Sequence, residues 1–268
     1  MLRIVYANLG YSRDIDGSIG HHIRRVHHHI FTPRDAQMRS LNFVKETLRG
    51  LKPDLTCFVE IDRGSLTNGF FDQLPVLREE HHETVQIDSK YALDRQFRRF
   101  SISRGKSNAF LASRPLEFEA RYLDHGTKRL VYDIDMSGIR VLIVHASLRH
   151  RVRERQFAQL AEWTAERDVP TVVLGDFNIF RGGRELRPML RGGAFVHLNE
   201  RMEPTFRLGP YQASLDNCLV SGDIASSCRL EIINQPFSDH QMLQLDIAAL
   251  DAMVSANVAD PVSAVAAQ

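Results

Sequence analysis

The chain has 268 residues, 34 Lys and Arg against 33 Asp and Glu, a net charge of +1 and 43% hydrophobic residues. That balance excludes a globally basic field of the kind that holds nucleic acid non-specifically, while a local basic groove stays compatible with it. No run approaches the ~18 apolar residues of a membrane helix, and the length suits one large domain over residues 1–247 followed by an Ala- and Val-rich tail, 248–268, expected to fray or to add a short helix.

Leu2 to Asn8 reads as a strand ending on a polar residue, and Gly10 to Thr32 follows as a long loop rich in His, Arg and Gly. Thr32 and Pro33 supply an N-cap and a first helical residue; Met38, Leu41, Lys45 and Leu48 trace a partly apolar face, and Gly50 with Pro53 closes the helix. Leu55 to Ile61 is nearly all apolar, as in a strand covered on both faces, and is broken by Glu60. Residues 62 to 105 yield no clear element. They hold Phe70-Phe71, His81-His82 and a basic stretch, Arg95 to Arg104, whose aromatics, Phe97 and Phe100, make a weak stacking platform. Ala109 to Ala112, Arg129 to Met136 and Arg140 to Ser147 read as successive strands, with Ser137-Gly138 as a hairpin turn. Arg149 to Arg167 places Val152, Phe157, Leu160 and Trp163 at helical spacing and stops before Pro170. Thr171 to Leu174, Leu215 to Val220 and Met242 to Ile247 are further strands, the last turning Leu243, Leu245 and Ile247 inward. No internal repeat is visible. Cys57, Cys218 and Cys228 are an odd number and lie partly in apolar runs, which predicts reduced thiols; with a strand-like opening in place of a secretory pattern, the expectation is a cytoplasmic protein.

Several of these apolar strands end abruptly in polar groups: Asn8, Glu60 in CFVEID, His145 in IVHASL, Asp176 and Asn178 in VVLGDFN, and Asp216 in SLDNCLV. A lone ending of this kind reads as a turn amide, a capping acid or a hydrogen-bonded core histidine. Buried carboxylates cost several kcal/mol unless paired, hydrogen-bonded or metal-bound, so their repetition at strand termini points to convergence on one site. In GDFN the Asp and Asn are two apart and share a face of an extended chain, while Gly175 permits close backbone approach.

Taken in order, NLG at Asn8, VEID around Glu60, VHASL at His145, GDFN at Asp176 to Asn178, LDNCLVS at Asp216 and SDH at Ser238 to His240 resemble the endonuclease/exonuclease/phosphatase superfamily, with the DNase I-like fold. SNAFLASRP from Ser107 and Pro204-Thr205-Phe206 add to the match, which spans residues 2 to 247. His145 looks like the two-histidine branch that includes DNase I, sphingomyelinases and inositol phosphatases. The resemblance implies an α+β, four-layer αββα sandwich of two packed mixed sheets flanked by helices. It implies magnesium or manganese held by Glu60, Asn8 and Asp239, an all-oxygen set suited to hard ions. His240, oriented by Asp216, would take a proton from the attacking water; Asp176 and Asn178 would position it, and His145 would meet a phosphate oxygen. Asp176 and His145 are both candidates for protonating the leaving oxygen. The final motif departs from many relatives in reading SDHQ, without the Pro that usually follows.

Arg129, with Lys128 before it in GTKRLVYD, and Asn108, with Lys106, are expected to bind substrate, as the resemblance implies for an arginine at a similar place; an exposed strand-edge pair is the plainer reading of each. The histidines His21, His22, His27, His28 and His29, interleaved with Arg24 and Arg25, suit zinc, phosphate contact or a solvated, locally helical loop. The expected activity is metal-dependent hydrolysis of a phosphodiester, nucleic acid or a phospholipid head group; the near-zero net charge tilts it away from a processive nuclease. A phosphomonoesterase and a catalytically silent binding module are the alternatives, and no obligate protein partner is inferred.

Overall fold

The structure, a computed structural model, describes residues 1–91 and 104–248. In chain order the strands are β1 (Leu2–Asn8), β2 (Leu55–Asp62), β3 (Thr84–Ser89), β4 (Lys106–Ala112), β5 (Glu117–Tyr122), β6 (Leu130–Asp135) and β7 (Arg140–His145). After them come β8 (Thr171–Asp176), β9 (Phe195–His197), β10 (Phe206–Leu208), β11 (Tyr211–Ala213), β12 (Asp216–Ser221), β13 (Cys228–Ile233) and β14 (Met242–Ile247). The helices are α1 (Ile19–Arg24), α2 (Arg34–Leu51), α3 (Leu74–Leu77), α4 (His150–Ala165) and α5 (Arg187–Leu190). The basic stretch from Arg95 lies outside the described residues up to 103, as does the tail beyond Ala248.

Two six-stranded mixed sheets, β13-β14-β1-β2-β4-β3 and β5-β6-β7-β8-β12-β9, form the body, with β10-β11 as a separate ribbon. The parallel pairs are β1 with β2, joined through α2, and β7 with β8, joined through α4. Long helical crossovers are what parallel neighbours require. Strand alternation then sorts the side chains into three cores. Ile4, Tyr6, Leu55, Cys57 and Val59 from one sheet meet Tyr132, Ile143, Leu174 and Cys218 from the other. Val5, Ala7 and Phe58 face outward onto Leu41, Val44 and Leu48 of α2, while Val131, Leu142 and Val173 face outward onto Phe157 and Leu160 of α4. The expected α+β four-layer sandwich is therefore the observed fold. All three cysteines are free, and among the described residues no helix is long and apolar enough to cross a membrane.

The structure amends two local readings. The segment after Asn8 contains α1, capped by Ser18, whose Oγ accepts from the His21 amide, and a 3-10 turn over Val26–His29. It is tied down by Asp14, fully buried and paired to Arg25 at 2.6 Å and Arg39 at 2.9 Å, and by His28 Nδ1 on the Arg13 carbonyl. Thr32 does not cap α2. Its hydroxyl donates to the His28 carbonyl, and Pro33, in an extended conformation, takes the cap position.

Candidate active site

The site lies where the inter-sheet core changes from apolar to polar along each inward-facing row. On β1 the row runs Ile4, Tyr6, Asn8; on β7, Val141, Ile143, His145; on β8, Val172, Leu174, Asp176; on β12, Val220, Cys218, Asp216. Residues two apart share a strand face, so each polar group occupies the next inward position past the core. All four are at most 2% exposed. The strand ends that are adjacent in the sheets, Asn8 beside Val59 and His145 beside Asp176, bring the groups to one end of the sandwich.

Glu60 reaches that end by a different route. Val59 belongs to the inter-sheet core and Ile61 to the outer core, although regular alternation would put both on one face. The β2–β4 register slips between Phe58 and Ile61, and Glu60 sits at φ +54°. A bulge of this kind re-aims a side chain, and a non-glycine residue in the left-handed region stores strain of order 1–3 kcal/mol, which neighbouring structure must hold in place.

Asp216 Oδ2 and His240 Nδ1 are 2.7 Å apart, and this pair joins the sheets, since Asp216 opens β12 while His240 precedes β14. The Asp216 amide donates to Thr205 Oγ1 at 2.9 Å, and its Oδ1 is buried without a partner. Burial alone would lower the His240 imidazole, but Asp216, then Asp176 and Asp239, push its pKa up to about 10. Asp176 accepts from the Asn178 amide at 3.0 Å and from Asn8 Nδ2 at 3.2 Å, and lies 3.4 Å from His145 Nε2. Burial works against its charge; the His145 hydrogen bond and the His240, His145 and Lys128 charges hold the carboxyl below its ordinary range. Asn178 adopts φ +52° and donates through Nδ2 to the Ala146 carbonyl, which fixes the turn after β8. At Gly175 a Cβ would fall 1.9 Å from the Val144 carbonyl oxygen, so only glycine allows β8 to lie this close to β7.

Sequence reasoning missed Lys90, and it named Lys128 and Lys106 only as companions of Arg129 and Asn108. Lys90 and Lys128 place Nζ 3.4 and 3.7 Å from Glu60 Oε1; Lys128 also touches His145 Nε2, and Lys90 touches the Tyr11 hydroxyl. Lys106 stands over the Tyr11 ring at 4.8 Å. Burial opposes the Glu60 charge, yet Lys90, Lys128, His145 and Arg13 together hold its carboxyl well below the usual value. Burial, followed by Lys128, brings His145 down to about 4, leaving it neutral at pH 7. The structure points Lys128, not Arg129, into the site: Leu130 and Tyr132 face inward, so 128 shares their parity, while Arg129 Nε bonds the Leu123 carbonyl. Alternation from Tyr132 backward was the available signal. Asn108 does lie on the inward row, after Phe110, with its Oδ1 buried and unpartnered.

Two places have the chemistry to hold a cation. Asp176, Asp216 and His240 offer ligand atoms within 4.8 Å of one another, but His240 Nδ1 is already committed to Asp216. Asp239, next to Gly10 and Gly17, is the better fit together with Glu60 and Asn8: burial raises its carboxyl, and the Glu60 charge raises it further. Two carboxylates that repel across a buried site suit a hard divalent cation between them. The loop histidines do not form a group of this kind among the described residues.

Acids, amides, imidazoles and lysines converging at one end of two packed sheets define a hydrolytic, phosphate-directed class of site. The model of the Endonuclease/Exonuclease/phosphatase family matches residues 26–240, and the chain belongs to that family. It is accordingly a phosphoesterase. No curated protein matches it in sequence. Among solved structures it is similar to an AP endonuclease from Archaeoglobus fulgidus (TM-score 0.61, 15% identity, 93% of this chain and 100% of the other). It is also similar to TDP2 from Caenorhabditis elegans (0.62, 14%, 92% and 74%) and to a family protein from Leptotrichia buccalis (0.64, 11%, 93% and 100%). At these identities the likeness is one of fold.

Proposed function

We propose that the chain hydrolyses a phosphodiester by in-line attack of water, with magnesium or manganese held by Glu60, Asp239 and Asn8, in the manner of the two-histidine branch of its family. The observation that carries the reading is the buried Asp216–His240 pair, which commits Nδ1 and leaves Nε2 for proton transfer, beside Asp176 and the Asn8 that bonds it. A divalent cation bound there would neutralise charge on the phosphoryl oxygens and, beside Asp239, draw the His240 proton affinity toward neutrality. His240 then accepts the water proton while Asp216 keeps its tautomer. Asp176, fixed by Asn8 and Asn178, orients the water. Neutral His145 with Lys128, and Asn108 by donating through Nδ2, meet the phosphate oxygens. The reaction suits a protein acting in the cytoplasm, with the phosphoester substrate as its partner.

A second reading, a phosphomonoesterase, is favoured by Lys90 and Lys128, which add two positive charges beside Glu60 and suit a dianionic terminal phosphate. Turnover of bis-p-nitrophenyl phosphate and p-nitrophenyl phosphate, in EDTA, magnesium or manganese, separates the two. The proposal expects metal-dependent diester cleavage that falls about a hundredfold or more in His240→Ala and in Glu60→Gln. Metal-independent turnover unchanged in both variants would rule the mechanism out.

A further inference from the structure

The C-terminal ends of β1, β2, β7 and β8 all carry site residues, so the segments that follow these strands surround the mouth of the site. Their composition is unusual for a surface open to water. After β1, Ile19, Ile23, Val26, Ile30 and Phe31 are exposed, from 52% for Phe31 to 78% for Ile30. Phe70, after β2, is 71% exposed, and the two segments are joined: the Thr32 amide donates to the Thr67 carbonyl, and the Phe31 ring lies against Gly69. Ile19 and Ile23 are four apart on α1 and project from one face. The burial of Asp14 against Arg25 and Arg39 makes this a braced platform. Exposed apolar patches of this kind mark a surface that is covered in use.

The covering surface is constrained by charge. No acidic residue occurs from Ser18 to Arg34, and Arg24 and Arg34 are exposed. Across the mouth, Arg181, Arg184, Arg187 and Arg191 line a cleft of about 480 Å³ with His150, and these arginines form no salt bridge among the described residues. The acids there are Glu154, which faces His150, and Glu185, buried against Arg153.

We infer that this end of the sandwich docks on an anionic phospholipid bilayer, the aliphatic loop entering the headgroup region and the arginines meeting lipid phosphates. Apolar insertion combined with a cationic rim is the pattern of interfacial binding. A nucleic-acid strand could use the arginines and stack on Phe31 and Phe70, but it would leave Ile19, Ile23, Val26 and Ile30, which have no ring face for a base, uncovered. A second copy in a two-fold dimer would set this patch against itself and bring unpaired arginines together. Docking stands without hydrolysis. The corollary, that the scissile phosphoester is presented from the lipid surface, rests on the proposed reaction.

The experiment is co-sedimentation of the full chain, in EDTA so that no turnover intervenes, with phosphatidylcholine vesicles lacking or containing phosphatidylglycerol. Binding is expected on the phosphatidylglycerol vesicles, weakened at least about tenfold by Ile23→Ser, Ile30→Ser and Phe31→Ser combined. Arg184→Gln with Arg187→Gln is expected to weaken it and flatten its salt dependence. All five positions are exposed, so thermal unfolding should match the wild type, and the loop variant should keep wild-type turnover of bis-p-nitrophenyl phosphate. Failure of the wild type to bind either vesicle, or binding indifferent to the loop substitutions, overturns the inference. So does a dimer in light scattering that the loop variant dissolves without any vesicle binding, or oligonucleotide capture through the arginines by a protein that ignores vesicles. Loss of turnover with vesicle binding intact would count against the proposed reaction and leave docking standing.

Discussion

In one sheet a parallel pair, β1 and β2, is joined by α2 and flanked by antiparallel β14 and β4; in the other, β7 and β8 are joined by α4 and flanked by β6 and β12. The two plans share one topology, so Asn8 corresponds to His145, while the place of Asp176 is taken by Val59 and the acid, Glu60, follows one residue later. Their last inward positions differ in chemistry. The first sheet brings the candidate metal ligands; the second brings His145, Asp176 and Asp216, and His240 leaves the first sheet to bond the second. They also differ in how an acid is turned inward. Asp176 arrives in phase, with Gly175 allowing close strand approach, whereas Glu60 arrives through an inserted residue at positive φ. A shared scaffold thus supplies two different halves of one site by altering single residues at its rim.

Each half can be broken separately. Removing the imidazole in His240→Ala should cost the most, about a hundredfold to ten-thousandfold in kcat, read in steady-state kinetics with saturating metal. Gly175→Ala acts on packing, because the new methyl meets the Val144 carbonyl; a loss of about 3 kcal/mol in urea unfolding is expected, with weakened catalysis. Each sheet carries a two-bonded ion pair on these strands, but the Asp133–Arg140 pair of the second, at 2.6 and 2.9 Å, is buried, whereas Arg3–Asp246 of the first, at 2.7 and 2.8 Å, is partly exposed. Asp133→Ala should cost about 3 kcal/mol by taking from the buried Arg140 its closest carboxylate, leaving the Trp163 carbonyl at 2.6 Å and Glu166 at 3.8 Å. Burial opposes the Asp133 charge, but Arg140 holds its carboxyl below the ordinary range. The stability it contributes is therefore complete above the unfolded carboxylate value, near ~3.9, and is lost as pH falls through the lower folded value; a pH series of unfolding in wild type and Asp133→Asn reads this directly. The smallest contrast is at adjacent residues: Lys128→Met should raise KM for a phosphoester about tenfold, and Arg129→Met by no more than about twofold.

That last pair shows where the sequence was readable and where it was not. The inner strands β1, β2 and β4 with β6, β7, β8 and β12 announce themselves as largely apolar runs, and β14 by the alternation of Leu243, Leu245 and Ile247. The edges β3, β13, β5 and β9 do not read as apolar runs, since partial exposure dilutes the pattern; Glu117 to Tyr122, EFEARY, still alternates Phe118, Ala120 and Tyr122 toward the inter-sheet core and could have been read from that period of two. Strand ends gave Asn8, His145, Asp176 and Asp216 because alternation continues through them. Lys128 follows the same alternation from Tyr132 and could have been read from it. Lys90 follows an edge strand that carries no readable pattern, and the turn of Glu60 depends on a bulge that local sequence does not mark. The structure also gathers Arg181, Arg184, Arg187 and Arg191 around one cleft beside His150, a basic surface that the net charge of +1 conceals.

The central claim is that the halves supplied by the two sheets act as one catalytic unit, and a double-mutant cycle tests it most directly. Glu60→Gln, His240→Ala and the double variant are compared in kcat for metal-dependent diester hydrolysis. If the halves act on the same transition state, the double variant should be about as slow as the slower single variant. Losses that multiply across the cycle would mean that Glu60 and His240 act independently, and would contradict the account.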